Sequence, residues 1–253
     1  MTYVLPDIAR AEALDSIDAR VRIVATAIFA MVTVGLSSIS VLALALAASV
    51  GVLVMSGRPM AETLRRMAAM DGFIIFMLVT LPFTVPGEPM VTVWGISASW
   101  AGLWMAVEIA LTANAVILMV LVLIGGLEAT SLGHALHALR VPARLVHLLL
   151  FTVRYIDVLR QEYIRMRAAM TARGFRARTS MHCYRSYGYL VGMMLVRAMD
   201  RSERIMAAMK CRGFTGQMPV IAQFRMTMAD AQFIILFGTI LVSLIMLNIT
   251  HVV

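Results

Sequence analysis

The stretch IVATAIFAMVTVGLSSISVLALALAASVGVLVMSG, residues 23–57, contains no charged side chain. A membrane-spanning helix needs about 20 predominantly apolar residues, or about 17 when it is short. The stretch is therefore long enough for two short spans, and its only break is Gly35–Ser40, where Gly and Ser interrupt the apolar pattern. The sequence predicts a pair of membrane helices at about 21–36 and 38–56.

The composition of the whole chain agrees with a membrane protein. Of the 253 residues, 61% are hydrophobic and 14% are charged, and the mean hydropathy is +0.87. In an average soluble domain about a quarter of the residues are charged. Further apolar runs predict three more spans, at about 72–87, 104–126 and 232–250. We therefore predict an all-α membrane protein with about five transmembrane helices. Because the first two predicted spans are short, a total of four or six spans stays possible.

The distribution of arginine predicts the orientation, because basic residues concentrate in cytoplasmic loops. Arg58, Arg65 and Arg66 mark an inner loop, whereas 82–103 has no Lys or Arg and is predicted to be an outer loop. Residues 128–230 then lie in the cytoplasm, and they hold 16 of the 22 basic residues. The first twenty residues carry acidic groups and no basic segment ahead of an apolar one, so we expect no secretory signal and a cytoplasmic amino terminus.

This pattern divides the chain into three parts. Residues 1–127 hold a short amino-terminal segment and the first four spans, 128–230 form a cytoplasmic domain, and 231–253 form the last span. In the cytoplasmic domain, Ser131–Leu139 predicts a short helix that stops before a proline, and Ala143–Arg173 predicts a long one that runs to a glycine.

One phrase occurs twice in this domain. AAMTARGF at 168–175 and AAMKCRGF at 207–214 share six identities in register, 39 residues apart. Each copy ends a predicted long helix, and the two helices are expected to pack on each other. Apolar residues spaced alternately by four and three predict the packing seams. The seams are Leu145, Leu149, Thr152, Ile156, Leu159, Tyr163, Met166, Met170 and Arg173 on the first helix, and Tyr184, Gly188, Val191, Leu195, Ala198, Ser202, Ile205, Met209 and Arg212 on the second. Glu162 and Glu203 are expected to form ion pairs with arginines of these helices.

The repeated residues predict two docking tips. A cation is favoured at the negative, carboxyl-terminal end of a helix, and glycine takes the left-handed conformation that caps it. Capping alone could therefore explain an Arg-Gly pair at either tip. Capping does not require Ala-Ala-Met to recur, so we interpret the tips as contacts for a partner with two equivalent pockets. Alanine allows close approach, methionine adapts to an apolar groove, and arginine offers a planar fork to a carboxylate. The supporting face consists of Met166, Ala169 and Met170, and of Ile205, Ala208 and Met209.

Several other functions are not supported by the sequence. The only lysine is Lys210 and no Walker A phosphate loop occurs, so the chain does not hydrolyse ATP alone. No catalytic residues are predicted. His134 and His137 lack a nearby third ligand, so no metal site is predicted. The net charge of +8 follows from the membrane topology, and we expect no nucleic-acid binding. Both cysteines, Cys183 and Cys211, fall on the cytoplasmic side and are expected to be reduced.

An ion-driven carrier usually keeps ionisable groups within its spans. The candidates are Glu108 and Asn114 in the fourth span and Asp71 at the edge of the third, and we interpret each as structural or interfacial. The alternative of a self-contained channel or secondary carrier, whose cytoplasmic helices only oligomerise, stays open at this point.

The repeated phrases resemble a known family. TARGF at 171–175 and RSERIMAAMKCRGF at 201–214 are similar to motifs of the T component of energy-coupling factor ABC transporters, in the cobalt/nickel branch of the CbiQ or NikQ type. SIDARVRI at 16–23, LPF at 81–83, LRVPARLVHLLLFTVRYIDVLRQE at 139–162 and the order of the spans support the resemblance, which covers nearly the whole chain.

The resemblance implies a role for the tips. The two long helices would be coupling helices, and Ala172, Arg173 and Gly174, together with Cys211, Arg212 and Gly213, would contact grooves on two cytoplasmic ATPase subunits. Cys211 stands where the family often has Ala or Ser, a change between small residues that we expect to be harmless.

The resemblance also implies what this chain lacks. It would be a non-catalytic, multi-pass subunit of the bacterial inner membrane, with ATP and Mg on the ATPase partners and no cofactor of its own. A separate substrate-binding membrane subunit would recognise the substrate. Cobalt is the first choice and nickel the second, and the same T component serving a vitamin importer is a further alternative.

Overall fold

The computed structural model describes residues 17–87, 89–93, 96–214 and 226–252. The predicted amino-terminal segment and the end of the predicted cytoplasmic domain, residues 1–16 and 215–225, lie outside the described residues. The helices are α1 (Ala19–Val34), α2 (Ile39–Met55), α3 (Met60–Met70), α4 (Gly72–Thr84), α5 (Trp100–Leu123), α6 (Ala129–Ala138), α7 (Ala143–Ala172), α8 (Met181–Cys211) and α9 (Met228–Val252).

The described residues form two compact units. The first contains the described parts of 1–128 and 223–253, and the second those of 129–222. Both units are built from helices, so the predicted all-α membrane protein is confirmed. A short antiparallel hairpin, β1 (Pro89–Val93) and β2 (Ile96–Ser99), interrupts the loop between α4 and α5 and was not predicted.

Each predicted span corresponds to a helix of the first unit, and the chain is a multi-pass membrane protein. Helix α5 and the segment Met228–Thr250 of α9 are long and apolar enough to cross a membrane, and α2 is apolar but shorter, with 17 residues. Helices α3 and α4 pass the same test only together, as a pair bent by 46°. By length and composition the described helices give two spans, or three with the bent pair, so the count of about five stays a prediction.

The third span differs from its prediction. It was expected at 72–87, but α4 ends at Thr84 and has 13 residues, which extend only about 20 Å. The preceding segment, assigned to an inner loop, forms α3 instead. An ion pair of 2.6 Å between Glu62 and Arg66 joins successive turns of α3, which stabilises a helix with charged residues.

The first unit packs through small residues. Ala45, Ser49 and Ala115 are fully buried, and a Cβ on Gly102 of α5 would lie 2.6 Å from the carbonyl oxygen of Leu81. Small residues let backbones approach closely, which is how membrane helices associate without a hydrophobic driving force between them. Larger side chains of α1, α2, α5 and α9 complete this core: Phe29, Leu42, Leu53, Leu118, Met119, Val122 and Phe237.

Two side-chain contacts of the first unit lie at helix ends. The Asp230 carboxylate, at the start of α9, accepts the backbone N–H groups of Asp18 and Thr227 at 2.7 Å each, which ties α9 to the start of α1. Arg58 donates to the carbonyl oxygen of Leu121 at 3.4 Å, at the end of α5. A cation at this end is favoured by the helix dipole.

The second unit consists of α6, α7 and α8. A Cβ on Gly133 of α6 would lie 2.5 Å from Leu150 of α7, so these two helices pack at close range. Helices α7 and α8 have 30 and 31 residues, or about 45 Å each. They are antiparallel. The ring of Phe175, just after α7, lies 5.5 Å from that of Tyr187 in α8, and Phe214, just after α8, lines a groove with Arg144 at the start of α7.

The predicted packing seams are wrong in the first half of each long helix. Leu145, Ile156, Tyr184, Val191 and Leu195 were assigned to the seams, yet each is more than half exposed. The buried residues of α8 are instead Cys183 and Leu190, one position away from the predicted register. A period of 3.5 describes helices that run side by side over many turns. Helices α7 and α8 meet only over a short crossing. The apolar face of α8 that carries Tyr184, Val191 and Leu195 therefore does not contact α7 and is exposed.

Candidate partner-binding site at two helix tips

The tip of α7 is closed by its own backbone. Gly174 has φ +84°, its N–H donates to the carbonyl of Thr171 at 3.0 Å, and the N–H of Phe175 donates to the carbonyl of Met170 at 3.1 Å. These two bonds define the Schellman motif, in which a residue with positive φ reverses the chain and satisfies the last carbonyl groups. Arg173 occupies the cap position immediately before this glycine.

The tip of α8 repeats this geometry. Gly213 has φ +80°, its N–H donates to Lys210 at 3.0 Å, and the N–H of Phe214 donates to Met209 at 3.1 Å. Arg212 occupies the cap position. A Cβ added to Gly174 or Gly213 would meet nothing within 4 Å, so only the backbone angle requires glycine at these positions.

The cap accounts for only part of the duplicated phrase. Met, Gly and Phe supply the acceptor, the positive φ and the donor of each Schellman motif, and an apolar contact between the Met and Phe positions commonly accompanies it. Capping therefore explains why these three residues recur together, which the sequence alone did not reveal. The side chains of the arginine and of the two alanines take no part in the backbone bonds of the cap, so they are the side chains left for another function.

The arginine side chains are free at both tips. Arg173 and Arg212 are exposed, and among the described residues neither guanidinium has a hydrogen bond or an ion pair. Alanines Ala169, Ala172 and Ala208 and the thiol-bearing Cys211 are exposed beside them. Each tip thus presents a planar set of five donors next to small side chains, which suits a carboxylate on an approaching surface.

The larger residues of the supporting face turn inward. Met166, Met170, Ile205 and Met209 are half-buried, and Ile205 and Met209 line the groove beside Phe214. The sequence predicted them to share a face with the arginines. Their half-buried position means that they brace the tips from within the second unit while exposing one edge.

The tips of α7 and α8 lie at opposite ends of this antiparallel helix pair, and an approximate local twofold axis relates the two helices. Leu159 and Ala198 are equivalent positions of the 39-residue repeat, and both line the groove at the crossing of α7 and α8. When equivalent residues of antiparallel helices meet, a local twofold axis passes near the contact. Two equivalent surfaces related in this way match a partner that is itself a symmetric dimer.

The two tips are braced differently. After α7, the chain returns directly into α8, and the Cys183 thiol accepts the N–H of Arg178 and donates to the carbonyl of Arg176, both at 3.3 Å. Hydrogen bonds from Ser180 and Arg178 hold the pKa of the Cys183 thiol below its usual value, against the opposite effect of burial. Cys183 is buried and Cys211 is exposed, and both are free thiols.

A third Schellman motif ends α6 without a glycine. Arg140 has φ +63°, its N–H donates to His137 at 3.0 Å, and the N–H of Val141 donates to Leu136 at 3.1 Å. A residue other than glycine is uncommon in this conformation. Here arginine takes the glycine position, whereas at the two tips it precedes the glycine, so Arg140 is not a third copy of the tip.

The predicted ion pairs of the long helices are only partly present. Glu162 of α7 pairs with Arg197 of α8 next to the crossing, which confirms the prediction for Glu162. Glu203 is exposed and has no ion pair within the part of the chain that the structure describes, so that prediction is wrong.

The remaining polar candidates form no metal centre. Among the described residues no group of three or more His, Cys, Asp or Glu side chains is placed to hold a metal ion. His134 and His147 line a cavity of about 440 Å³ between α6 and α7, and His137 is exposed. In α5 the Asn114 amide donates to the carbonyl of Ala110 at 3.0 Å, a contact within its own helix.

Comparisons with known proteins agree with these features. The family model described as "CbiQ: Cobalt transport protein" matches residues 11–221, which include both tips. The cobalt transport protein CbiQ of Rhodobacter capsulatus is 33% identical over 94 residues, which are 37% of this chain and 38% of that relative. The aligned part thus spans less than half of the relative's length. The family match extends over most of the chain, and the chain belongs to the CbiQ cobalt transport protein family.

Proposed function

We propose that this chain is the energy-coupling transmembrane subunit, or T component, of an energy-coupling factor importer for cobalt. In this role it hydrolyses no ATP. It transmits motions of two cytoplasmic ATPase subunits to a separate membrane subunit that binds the substrate. Each ATPase subunit receives one tip, Ala172–Gly174 or Cys211–Gly213.

The observation that supports this role best is the free arginine at each tip. Both caps are complete without the side chains of Arg173 and Arg212, so the arginines are available to a partner. The approximate twofold relation of α7 and α8 offers the same surface twice, as a dimer of ATPase subunits requires. A carboxylate in each ATPase groove would form a charge-assisted, two-pronged contact with the guanidinium.

Cobalt is proposed as the substrate because the family is a cobalt transport family and the relative carries the same name. Nickel and vitamins remain the competing substrates, and uptake measured with each of them decides. Because a separate subunit recognises the substrate in this proposal, changes at the two tips should reduce the uptake of any substrate without changing the preference among them.

The test compares two pairs of repeat-related arginines. Arg173→Ala/Arg212→Ala removes the tips, whereas Arg165→Ala/Arg204→Ala removes two exposed arginines 39 residues apart that lie two turns earlier. Each variant is solubilised in detergent with its partners, and the copurifying ATPase is quantified. We expect the tip variant to lose the ATPase and cobalt uptake, while the control retains both.

Retention of the ATPase by the tip variant would show that the tips are not the coupling sites. Absence of an ATPase from the wild-type complex would instead favour a self-contained channel or carrier.

The proposed orientation places both tips in the cytoplasm, and Cys211 reports on it because its side chain is exposed. An impermeant maleimide should label Cys211 in inside-out vesicles and leave it unlabelled in intact cells. Cys183 is buried and serves as the internal control. Strong labelling of Cys211 in intact cells would contradict the orientation.

A further inference from the structure

A cavity of the second unit collects charged and polar side chains that the two tips do not use. It lies between α6 and α7 and has a volume of about 440 Å³. Small-molecule binding sites typically have volumes of about 300–1,000 Å³. His134 of α6 lines one wall, and the other wall is one face of α7, whose residues are three or four positions apart: His147, Leu150, Arg154 and Asp157. Helix periodicity thus brings an imidazole, a guanidinium and a carboxylate of α7 to the same cavity as an imidazole of α6.

The two walls are held together by close packing beside the cavity. A Cβ on Gly133 of α6 would lie 2.5 Å from the side chain of Leu150, so the helices are in direct contact there. Side chains on packed helices are positioned more precisely than side chains on loops. The polar groups of the cavity are therefore fixed relative to one another before any ligand arrives.

The protein does not pair these polar groups with each other. The Nδ1 atom of His134 is buried and has no hydrogen-bond partner within the described residues. Arg154 and Asp157 are three residues apart on α7, yet no ion pair joins them in the part of the chain that the structure describes. A buried polar atom without a partner is unfavourable, and each one in a folded protein requires an explanation. A polar ligand in the cavity provides that explanation.

The charge of Arg154 indicates the class of ligand. A guanidinium is always protonated, so it repels a metal ion, and its planar donors match the oxygens of a phosphate group. Imidazole N–H groups can donate to the same oxygens. Among the described residues no three His, Cys, Asp or Glu side chains are placed to hold a metal ion. The donors of this cavity therefore suit an anion.

Asp157 restricts which anion fits. A carboxylate repels an anion unless the anion donates a hydrogen bond to it. A phosphate monoester has a second pKa of about 6, so it can keep one P–O–H group near neutral pH and donate it to the carboxylate. The apolar part of such a ligand can lie against Leu150 and Phe151, which line the same cavity.

We propose that the cavity between α6 and α7 binds a small phosphate monoester. Arg154, His134 and His147 donate to the phosphate oxygens, and Asp157 accepts the remaining P–O–H group. The organic part contacts Leu150 and Phe151. The site lies within the second unit and requires no ATPase, so it stands or falls independently of the proposed coupling role.

The test observes the histidines directly in the full chain. The protein is purified in detergent micelles without partners and carries ¹³C at Cε1 of its five histidines, which are assigned by replacing each in turn with glutamine. Phenyl phosphate is titrated at constant pH and ionic strength. We expect saturable shifts of the His134 and His147 resonances, whereas His137, which is exposed on the same helix, should not respond. The absence of a saturable shift, or an equal shift at His137, would overturn the proposal.

Phenyl sulfate is the matched ligand, because it has nearly the same shape but keeps no proton at neutral pH. It should bind about tenfold or more weakly than phenyl phosphate, since it leaves Asp157 without a donor, and Asp157→Asn should remove the difference. Arg154→Gln should weaken the binding of phenyl phosphate by about tenfold or more. Arg160→Gln changes an exposed arginine of α7 outside the cavity and should leave binding unchanged. Equal binding of the two ligands by the wild type, or equal losses in the two arginine variants, would contradict the assigned contacts.

A phosphate monoester can belong to a soluble metabolite or to the headgroup of phosphatidic acid. Glycerol phosphate and dihexanoyl phosphatidic acid are therefore titrated in parallel. A shift of His134 and His147 with either ligand supports the site, and the tighter ligand identifies the source. A response of both histidines to cobalt chloride but not to phenyl phosphate would show a metal site instead, which overturns the proposal.

Discussion

The tips of α7 and α8 share one backbone geometry but differ in what surrounds them. Both have arginine at the cap, glycine at a positive φ and phenylalanine bonded back to methionine. The ring of Phe175 packs edge-on against Tyr187, and the returning chain is fastened by the Cys183 thiol. Phe214 instead lines a groove of about 430 Å³ together with residues of the first half of α7.

The comparison shows which features of the two tips are the same and which differ. The cap and the free arginine recur, while the bracing behind them does not. A structure that needed only a helix stop could vary the arginine as freely as the bracing, since no cap bond involves the side chain. The comparison therefore points to the guanidinium groups as the shared feature and to the bracing as local packing.

The largest effect is expected from changing one tip at a time. Arg173→Ala and Arg212→Ala should each weaken ATPase binding by about 2–5 kcal/mol, because the opposing carboxylate is left buried and unpaired. The loss corresponds to about 30-fold or more in affinity. Titration of the ATPase against each purified variant measures it. Equal losses would support two equivalent pockets, whereas a loss at one tip alone would break the equivalence.

Smaller effects are expected at the cap glycines. Gly174→Ala and Gly213→Ala should each destabilise the second unit by about 1–2 kcal/mol, because an L-residue is strained at a positive φ. The two costs should be equal, since neither new methyl group meets a neighbour within 4 Å. Denaturant unfolding, followed by a probe in α8, measures them.

Arg140→Gly is a control that should change stability in the opposite direction. It removes the backbone strain of a non-glycine residue at φ +63° in the same motif. It should stabilise the second unit by up to about 1 kcal/mol, because the relief of about 1–2 kcal/mol of strain exceeds the cost of about 0.4–1 kcal/mol from the greater freedom of glycine in the unfolded chain. Unequal costs for the two glycines, or no gain from the control, would show that the bracing rather than the cap determines tip stability.

The smallest effect concerns the ion pair of Glu162 in α7 with Arg197 in α8, which has no repeat-related copy among the described residues. Glu162→Gln should lower the stability of the second unit by less than about 1 kcal/mol, because Arg197 is 54% exposed and solvent screens the pair. The loss should shrink as salt is added. Glu203→Gln is the matched control and should leave stability unchanged. A larger loss at Glu203 would contradict the assigned pairing.

The sequence predicted the elements better than their contacts. Charge-free runs predicted where the apolar helices fall, and Pro142 and Gly174 correctly bracketed α7. The seams failed because α8 carries two apolar faces, and a pattern of apolar residues cannot tell which face meets α7. Leu190 and Val191 are equally apolar, yet one is buried and the other is 63% exposed.

At the tips, the sequence predicted the residues but not the division of their roles. That Met, Gly and Phe belong to the cap follows from backbone hydrogen bonds, which no residue spacing reports. Helix α3 was missed because its apolar residues are interrupted by Glu62, Arg65 and Arg66, which were read as a charged loop. The hairpin β1–β2 has no strong turn signal that would have distinguished it from a loop.

The central claim is that the tip arginines bind a partner through their planar fork, and the measurement that tests it most directly is ATPase retention by Arg173→Lys/Arg212→Lys. Lysine keeps the positive charge near the end of each helix but cannot make the two-pronged contact. With Arg165→Lys/Arg204→Lys as the control, we predict that the tip variant loses most of its ATPase and its cobalt uptake while the control keeps both. Retention of ATPase and transport at the wild-type level by the tip variant would contradict the account.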